Sequence, residues 1–316
     1  MIERELILVE QRLQQIIETS TPEINEVGSY VYNGSGKRMR PTLFLLAAYH
    51  PQESLTPYVD AAVALELMHT ASLLHDDVID QASTRRGKEA VHVKWTNKIS
   101  VLTGDYMLSQ AFKMLVGYQD WRLMDTVVDI VQNMSEGEME QAFADPTMPD
   151  LENRYFSWIG KKSASFFSGC CAAGSLISGD DSEEQRRWSE FGYNLGIAFQ
   201  LIDDLLDYTG KGELTGKPVY GDLNNRVMTL PLIRTIEFAR KDGSIHRLLE
   251  DKSDSDQHLT EVVQAVLEND GPKYTYRRAE EFICRAEAIA DDFRNANNEI
   301  KAVLKDLTRD VLYRKK

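Results

Sequence analysis

The sequence predicts an all-α chain. Three observations carry that expectation. Glycine (19) and proline (9) are scarce among the 316 residues, below the ~12% of average usage, so helices are seldom interrupted. Apolar residues recur at three- and four-residue intervals along most of the chain, which is the helical period. No stretch shows the two-residue alternation of a half-buried strand.

The elements follow in order. Over Ile2–Glu18 the positions Ile2, Leu6, Val9, Leu13 and Ile16 form an amphipathic stripe. Pro22 belongs to the first turn of a second helix, with Thr19, Ser20 and Thr21 as candidate caps. Ala61–Leu74 is apolar nearly all round, the mark of a helix buried on every side. Further helices are expected over 97–117, 119–144, 150–178, 184–209, 228–240, 258–269, 273–295 and 298–312. The longest break is Thr209–Asn225, with four glycines and one proline; long loops in compact domains are often functional. The polar stretch Glu250–Gln257 reads as a surface connection.

Composition narrows the function. Lys and Arg number 36 against 50 Asp and Glu, a net charge of −14, which excludes a general nucleic-acid binder. Hydrophobic residues make up 42%, too many for disorder. A chain of this size buries roughly three quarters of its unfolded surface and needs no covalent or metal staple. Cys170 and Cys171 are adjacent and Cys284 is distant, so no disulfide framework or metal-ligand spacing exists, and a cytoplasmic, reducing setting is expected. The first residues, Met1-Ile2-Glu3-Arg4-Glu5, lack a signal peptide's apolar core. No run of ~20 apolar residues is present to span a bilayer.

The chemistry concentrates in a repeated Asp-Asp-x-x-Asp pattern: Asp76, Asp77 and Asp80, then Asp203, Asp204 and Asp207. On a helix, residues four apart share a face, so Asp76 pairs with Asp80 and Asp203 with Asp207. Two carboxylates one turn apart suit a hard cation such as Mg²⁺, which takes one or two carboxylates and fills its other positions with water and phosphate oxygens. Both triplets end strongly apolar helices, where charge is costly unless paired or metal-bound. Basic clusters accompany them: Lys37-Arg38-Met39-Arg40, Arg85-Arg86-Gly87, Lys161-Lys162-Ser163 and Gly216-Lys217-Pro218. Arginine binds phosphate bidentately and lysine acts as a point charge, so together the clusters suit a phosphorylated anion.

In order along the chain stand Gly36-Lys37-Arg38-x-Arg40-Pro41, His69, the first acidic triplet, Arg85-Arg86-Gly87, Trp95-x-Asn97, Gly104-Asp105-Tyr106, Gly137-Glu138 with Gln141, Lys162-Ser163, Phe199-Gln200 with the second triplet, and Gly216-Lys217-Pro218. This series resembles the trans-isoprenyl diphosphate synthases, or polyprenyl synthetases, over nearly the whole chain. The resemblance implies a single domain spanning 1–316, an isoprenoid synthase helical bundle around a deep central cavity, with helices of 1–35 at the dimer or edge surface. It implies head-to-tail condensation of isopentenyl diphosphate onto an allylic diphosphate (geranyl or farnesyl), in a homodimer or with a helper subunit. By the resemblance, Asp76, Asp80 and Asp203 hold three Mg²⁺ ions on the allylic diphosphate, with Asp77, Asp204 and Asp207 in support. Arg85, Lys162 and Lys217 contact that diphosphate. Lys37, Arg40, His69 and Arg86 bind isopentenyl diphosphate, and Gln200 and Ser163 line the region where the carbocation develops. Asp76, Asp80, Lys162, Gln200 and Asp203 are thus the expected catalytic set. No side chain offers itself as the base, leaving the released pyrophosphate to take the proton; His75 reads as a supporting or packing histidine. Ser35 replaces a glycine common in the family, Ser163 replaces its threonine, and Arg226-Val227 stands where Gly-Lys often does.

In short-chain members, large aromatic residues four and five places before the first triplet form a cavity floor. Here those places are Ser72 and Ala71, both small, which fits a product of hexaprenyl to octaprenyl length, the kind used for quinone side chains. The alternatives are a farnesyl or geranylgeranyl product with Met68 as the floor, or small residues that serve helix packing. A class I terpene cyclase or squalene-type synthase is disfavoured by the second basic pocket. A non-catalytic regulatory subunit is disfavoured by two complete triplets.

Overall fold

The computed structural model describes residues 1–32, 36–209, 221–225, 227–239 and 256–314. The chain forms two compact units, each made of two stretches: Met1–Asp129 with Gly169–Ser189, and Ile130–Ser168 with Glu190–Lys316.

The first unit is built on α4 (Val59–Ile79), against which α1 (Glu3–Ile17), α3 (Met39–Ala47) and α6 (Asn97–Val116) pack. Every residue from Ala61 to Met68 is buried, as a helix without a polar face requires. α1 contributes Val9 and Leu13 from its stripe, both fully buried. At the start of α2 (Pro22–Tyr32), Thr19 Oγ1 accepts from the Thr21 N–H at 3.0 Å, and Asn25 accepts from the Thr19 N–H at 2.7 Å and donates to the Thr19 carbonyl at 2.9 Å. Thr96 caps α6 through the N–H of Ile99 at 3.2 Å. The first part of α7 (Trp121–Ala142) and the short α5 (Val91–Lys94) complete this part of the chain.

Two features depart from expectation. Met39–Ala47 is helical although it reads as a basic motif; its proline, Pro41, lies in the first turn, where a missing N–H costs nothing. A two-stranded antiparallel hairpin, β1 (Thr84–Arg85) and β2 (Lys88–Glu89), pairs Thr84 with Glu89 and Arg85 with Lys88. Arg86 and Gly87 form its turn with φ of 52° and 75°. Positive φ at both central residues is the type I′ geometry, whose twist matches paired strands.

The second unit holds α8 (Leu151–Ile159), most of α10 (Ser182–Thr209), α11 (Gly221–Asn224), α12 (Leu230–Ala239), α13 (Asp256–Glu268), α14 (Gly271–Asp291) and α15 (Asn298–Leu312). α14 packs on both α12 and α15, and α12 also on α8 and α13. Asn297 caps α15 through the Ile300 N–H at 2.9 Å. The expected continuous helix 150–178 is instead broken by one π turn, Gly160–Ala164, before α9 (Ser165–Ile177). A π turn inserts an extra residue and re-aims the side chains it carries, which is why such turns gather at functional sites.

Glycine at 174 sets how closely α9 approaches α3: a Cβ there would lie 2.3 Å from the carbonyl oxygen of Phe44. Gly174→Ala therefore forces backbone apart and should destabilise the chain by ~1–3 kcal/mol, read as a thermal melt lowered by several degrees; an unchanged melt would contradict this packing.

Candidate active site

In the first unit, α4 carries Asp76 and ends at its C-cap Asp80, both half-buried, while Asp77 is 2% exposed. A residue adjacent to Asp76 is turned ~100° about the axis, which sends Asp77 into the interior. There its Oδ1 accepts from Arg85 Nε at 2.9 Å and Nη2 at 2.5 Å. The hairpin thus fastens to the acidic helix through Arg85 and presents Arg86 at its tip. His75 turns away to α6, where Nε2 lies 3.2 Å from the Val101 carbonyl oxygen and 3.5 Å from Asp105. A Cβ on Gly104 would come within 2.3 Å of that nitrogen, so the Gly104-Asp105 pair makes room for the ring and then flanks it. The histidine anchors α4, as its supporting reading requires.

The basic residues divide into neutralised and exposed charge. Arg38 is held by Glu10 and, at 2.8 Å, by the buried Glu66. Arg40, Arg86 and His69 form a cluster. Burial pulls the His69 pKa well below its usual value, and the charges of Arg40, Arg86, Arg85 and Arg38 lower it further. Burial likewise lowers the Arg40 and Arg86 pKa values, while the buried Glu66 opposes the shift at both and Arg38 and Arg85 add to it at Arg86. Like charge gathered around a neutral imidazole suits an anion. Lys37 is exposed beside it in sequence.

In the second unit, Asp203 is partly exposed and accepts from Arg314 at 3.2 Å. The Arg314 guanidinium also stacks 4.3 Å over Phe199. Asp204 is 3% exposed, its two oxygens accepting from Tyr155 Oη at 2.6 Å and Gln200 Nε2 at 2.7 Å. Burial, opposed by those bonds, pushes its pKa up to about 7. Asp207 caps α11, accepting from the N–H groups of Gly221 and Asp222 at 3.1 Å each. Ser163 donates to Gln200 Oε1 at 2.7 Å. The π turn aims Lys162 at Glu138 (2.5 Å) and Gln141 (3.1 Å), and Lys161 at Glu140 (2.7 Å) and Glu136 (3.1 Å). Gly137 permits this: a Cβ there would lie 2.5 Å from the Lys162 backbone nitrogen. Lys217 and its glycine–proline neighbours, and Ser35 and Arg226, lie outside the described residues.

Asp77 accepts from Arg85, Asp204 from Tyr155 and Gln200, and Asp207 from backbone N–H groups. Asp76 and Asp80 in the first unit, and Asp203 and Asp207 in the second, are half-buried. Among the described residues no three acidic, His or Cys side chains close on a common point. Within each unit the carboxylate donors are hard oxygen and incomplete by themselves, which fits a Mg²⁺ ion completed by water and phosphate oxygens. Tyr155 and Arg314 were not foreseen. Tyr155 lies seven residues before Lys162, two helical turns on the same segment, a spacing with no meaning until α10 is in place. Arg314 belongs to a visible basic run, Arg314-Lys315-Lys316, that sequence alone ties to no acidic partner.

The His69 pKa generates a pH prediction. Its native value is depressed, so below its ordinary 6.5 the unfolded chain takes up a proton that the folded chain refuses. Stability should fall on acidification from pH 6.5, by no more than ~1.4 kcal/mol per pH unit from this group. His69→Gln should flatten that slope in urea melts at pH 7 and 5.5; an identical slope would contradict the neutral imidazole.

Among the described residues, no helix is long and apolar enough to cross a membrane. A profile of the polyprenyl synthetase family matches residues 21–266. The chain is 35% identical over 260 residues to octaprenyl diphosphate synthase of Escherichia coli, covering 82% of this chain and 80% of that one. It is 31% identical over 281 residues to heptaprenyl diphosphate synthase component 2 of Bacillus subtilis, covering 88% and 80%. Among solved structures, a polyprenyl synthase from Caulobacter crescentus, complexed with calcium and isoprenyl diphosphate, superposes with a TM-score of 0.92 at 26% identity, covering 100% of this chain and 96% of that one. With most of its length matched by the family profile and its fold shared with such a synthase, the chain belongs to the polyprenyl synthetase family of all-α prenyltransferases.

Proposed function

We propose that this enzyme adds isopentenyl diphosphate repeatedly to an allylic diphosphate and releases a long product, of hexaprenyl to octaprenyl class. The observation that carries this is the pairing, within one unit, of the Arg40–Arg86–His69 cluster with the helix that ends in Asp76 and Asp80. An anion site beside a metal-binding acidic motif is what a two-diphosphate reaction needs.

In this reading Asp76, Asp80 and Asp203 hold the Mg²⁺ ions, three with diphosphate bound, and Asp77, Asp204 and Asp207 support them from behind. Mg²⁺ supplies charge neutralisation of the leaving diphosphate. Arg85, Lys162 and Lys217 add fixed positive charge where negative charge develops. Lys37, Arg40 and Arg86 grip isopentenyl diphosphate, and the neutral His69 donates a hydrogen bond. Holding the double bond near the allylic carbon converts a bimolecular encounter into a positioned one. Oε1 of Gln200 and the Ser163 hydroxyl face the cation with oxygen dipoles. The pyrophosphate released on ionisation takes the proton lost in forming the new double bond.

Product length is supported by small residues and by the relatives. Counting ~100° per residue, Ser72 lies near the Asp76 direction and Met68 to one side, while Ala71 points nearly opposite. Ser72 is half-buried, its hydroxyl turned to the His69 carbonyl at 2.8 Å, and Ala71 and Met68 are fully buried. The octaprenyl and heptaprenyl names of the relatives fit the same length. Exposed Leu102 and Val116 on α6 and Trp121 and Val128 on α7 favour a homodimer. The component 2 relative makes a helper chain the alternative, and three free cysteines suit a cytoplasmic enzyme.

Pure protein with Mg²⁺, farnesyl diphosphate and labelled isopentenyl diphosphate should give products longer than four isoprene units; a ladder ending at geranylgeranyl would place the floor at Met68 instead. Ser72→Phe should shorten the product with ionisation intact, and an unchanged ladder would remove Ser72 from the wall. Asp76→Ala should lower kcat by roughly a thousandfold with unaltered circular dichroism; near-normal turnover would contradict its metal role.

A further inference from the structure

Four side chains in the second unit form one hydrogen-bonded chain. Ser163 Oγ donates to Gln200 Oε1 at 2.7 Å, Gln200 Nε2 donates to Asp204 Oδ1 at 2.7 Å, and Tyr155 Oη donates to Asp204 Oδ2 at 2.6 Å. Tyr155 and Asp204 are buried at 0% and 3% exposure. A primary amide has a donor end and an acceptor end of nearly equal shape, and only its partners decide which way it faces. Asp204 decides it here. Ionised Asp204 is an acceptor only, so it claims the Gln200 NH₂ and the carbonyl oxygen faces the Ser163 side. That orientation matters, because an oxygen dipole stabilises a nearby cation and an NH₂ group repels it.

We propose that Tyr155 is a positioning residue: through Asp204 it locks the Gln200 amide with its oxygen toward the reacting allylic carbon. This rests on the proposed condensation and refines it, because it takes Asp204 out of metal ligation and gives it a different task. Tyr155 supplies the second donor that a buried carboxylate needs, and without it one oxygen of Asp204 is left unanswered. Asp204 then turns, and the amide is free to flip. Tyr155 also stands on the segment that carries Lys162 and Ser163, so the same hydroxyl ties that segment to α10.

The test uses the full-length enzyme with Mg²⁺, farnesyl diphosphate and isopentenyl diphosphate. Tyr155→Phe removes one hydroxyl and keeps the ring. It should lower kcat about tenfold and leave the KM for isopentenyl diphosphate unchanged. In a Gln200→Ala background it should add less than about twofold, because the amide it orients is gone. Calorimetric affinity for Mg²⁺ with inorganic pyrophosphate should be unchanged in Tyr155→Phe and in Asp204→Asn, and weakened in Asp203→Asn. Additive effects of Tyr155→Phe and Gln200→Ala would reduce Tyr155 to a structural role and overturn the proposal. So would a loss of pyrophosphate affinity in Asp204→Asn equal to that in Asp203→Asn, which would return Asp204 to the metal. If Tyr155→Phe does not fold, Asp204→Asn carries the same kinetic comparison with the same deciding outcomes. If the condensation itself is absent in the unmutated enzyme, the proposed function fails first and is seen to fail separately.

Discussion

A buried carboxylate must be answered by donors, and in this chain that requirement sets the rotation of both acidic helices about their axes. Each triplet has two members on one side and a third turned ~100° from the first. The third, Asp77 or Asp204, is nearly inaccessible. Leaving it without partners would cost several kcal/mol, so the first helix seats where Arg85 is in reach and the second where Tyr155 joins the helix's own Gln200. Once the middle aspartate is seated, the directions of Asp76 and of Asp203 follow. The two triplets use different chemistry inside. Arg85 brings a full positive charge, whereas Tyr155 and Gln200 bring neutral donors, and burial then pushes the Asp204 pKa up to about 7.

Positive charge is handled by the same logic. The chain carries a net charge of −14, so an anionic substrate is repelled at long range and must be held by local fields. Arg38 and Arg85 are each held by internal carboxylates, Arg38 by Glu10 and Glu66 and Arg85 by Asp77. Besides the charge proposed for Arg85, these pairs hold the backbone from which Arg40 and Arg86 reach the cluster. Arg86 reaches it from a turn with φ of 52°, and His69 stays uncharged there because protonation would add a further cation to a crowded, poorly solvated place.

How much of this was legible in the sequence depended on length scale. Helices of ten or more residues repeat their apolar period several times, and their positions were expected within a few residues. The hairpin has two residues per strand, too few for any period, and its only sign was a glycine after two arginines. The π turn keeps a helical composition, so 150–178 reads as one unbroken helix. Which aspartate of a triplet faces inward was hidden as well. Spacing shows that Asp76 and Asp80 share a side, but only the packing of Arg85 shows that the third member is enclosed.

The glycines at 104 and 137 show how a motif can encode packing and chemistry together. Both sit inside helices, where glycine costs ~1 kcal/mol relative to alanine. Each is placed where a Cβ would strike the support of a site residue: the His75 ring in one case, the Lys162 backbone nitrogen in the other. The helix loses stability so that another backbone or ring can come close. The neighbours of each glycine then use that closeness, Asp105 beside His75 and Glu138 with Gln141 around Lys162. A glycine followed by an acid on a helix is weak evidence for function when read alone. Here the glycine sets the distance and the acid supplies the charge, so changing either disturbs a cation or an imidazole that belongs to a different helix.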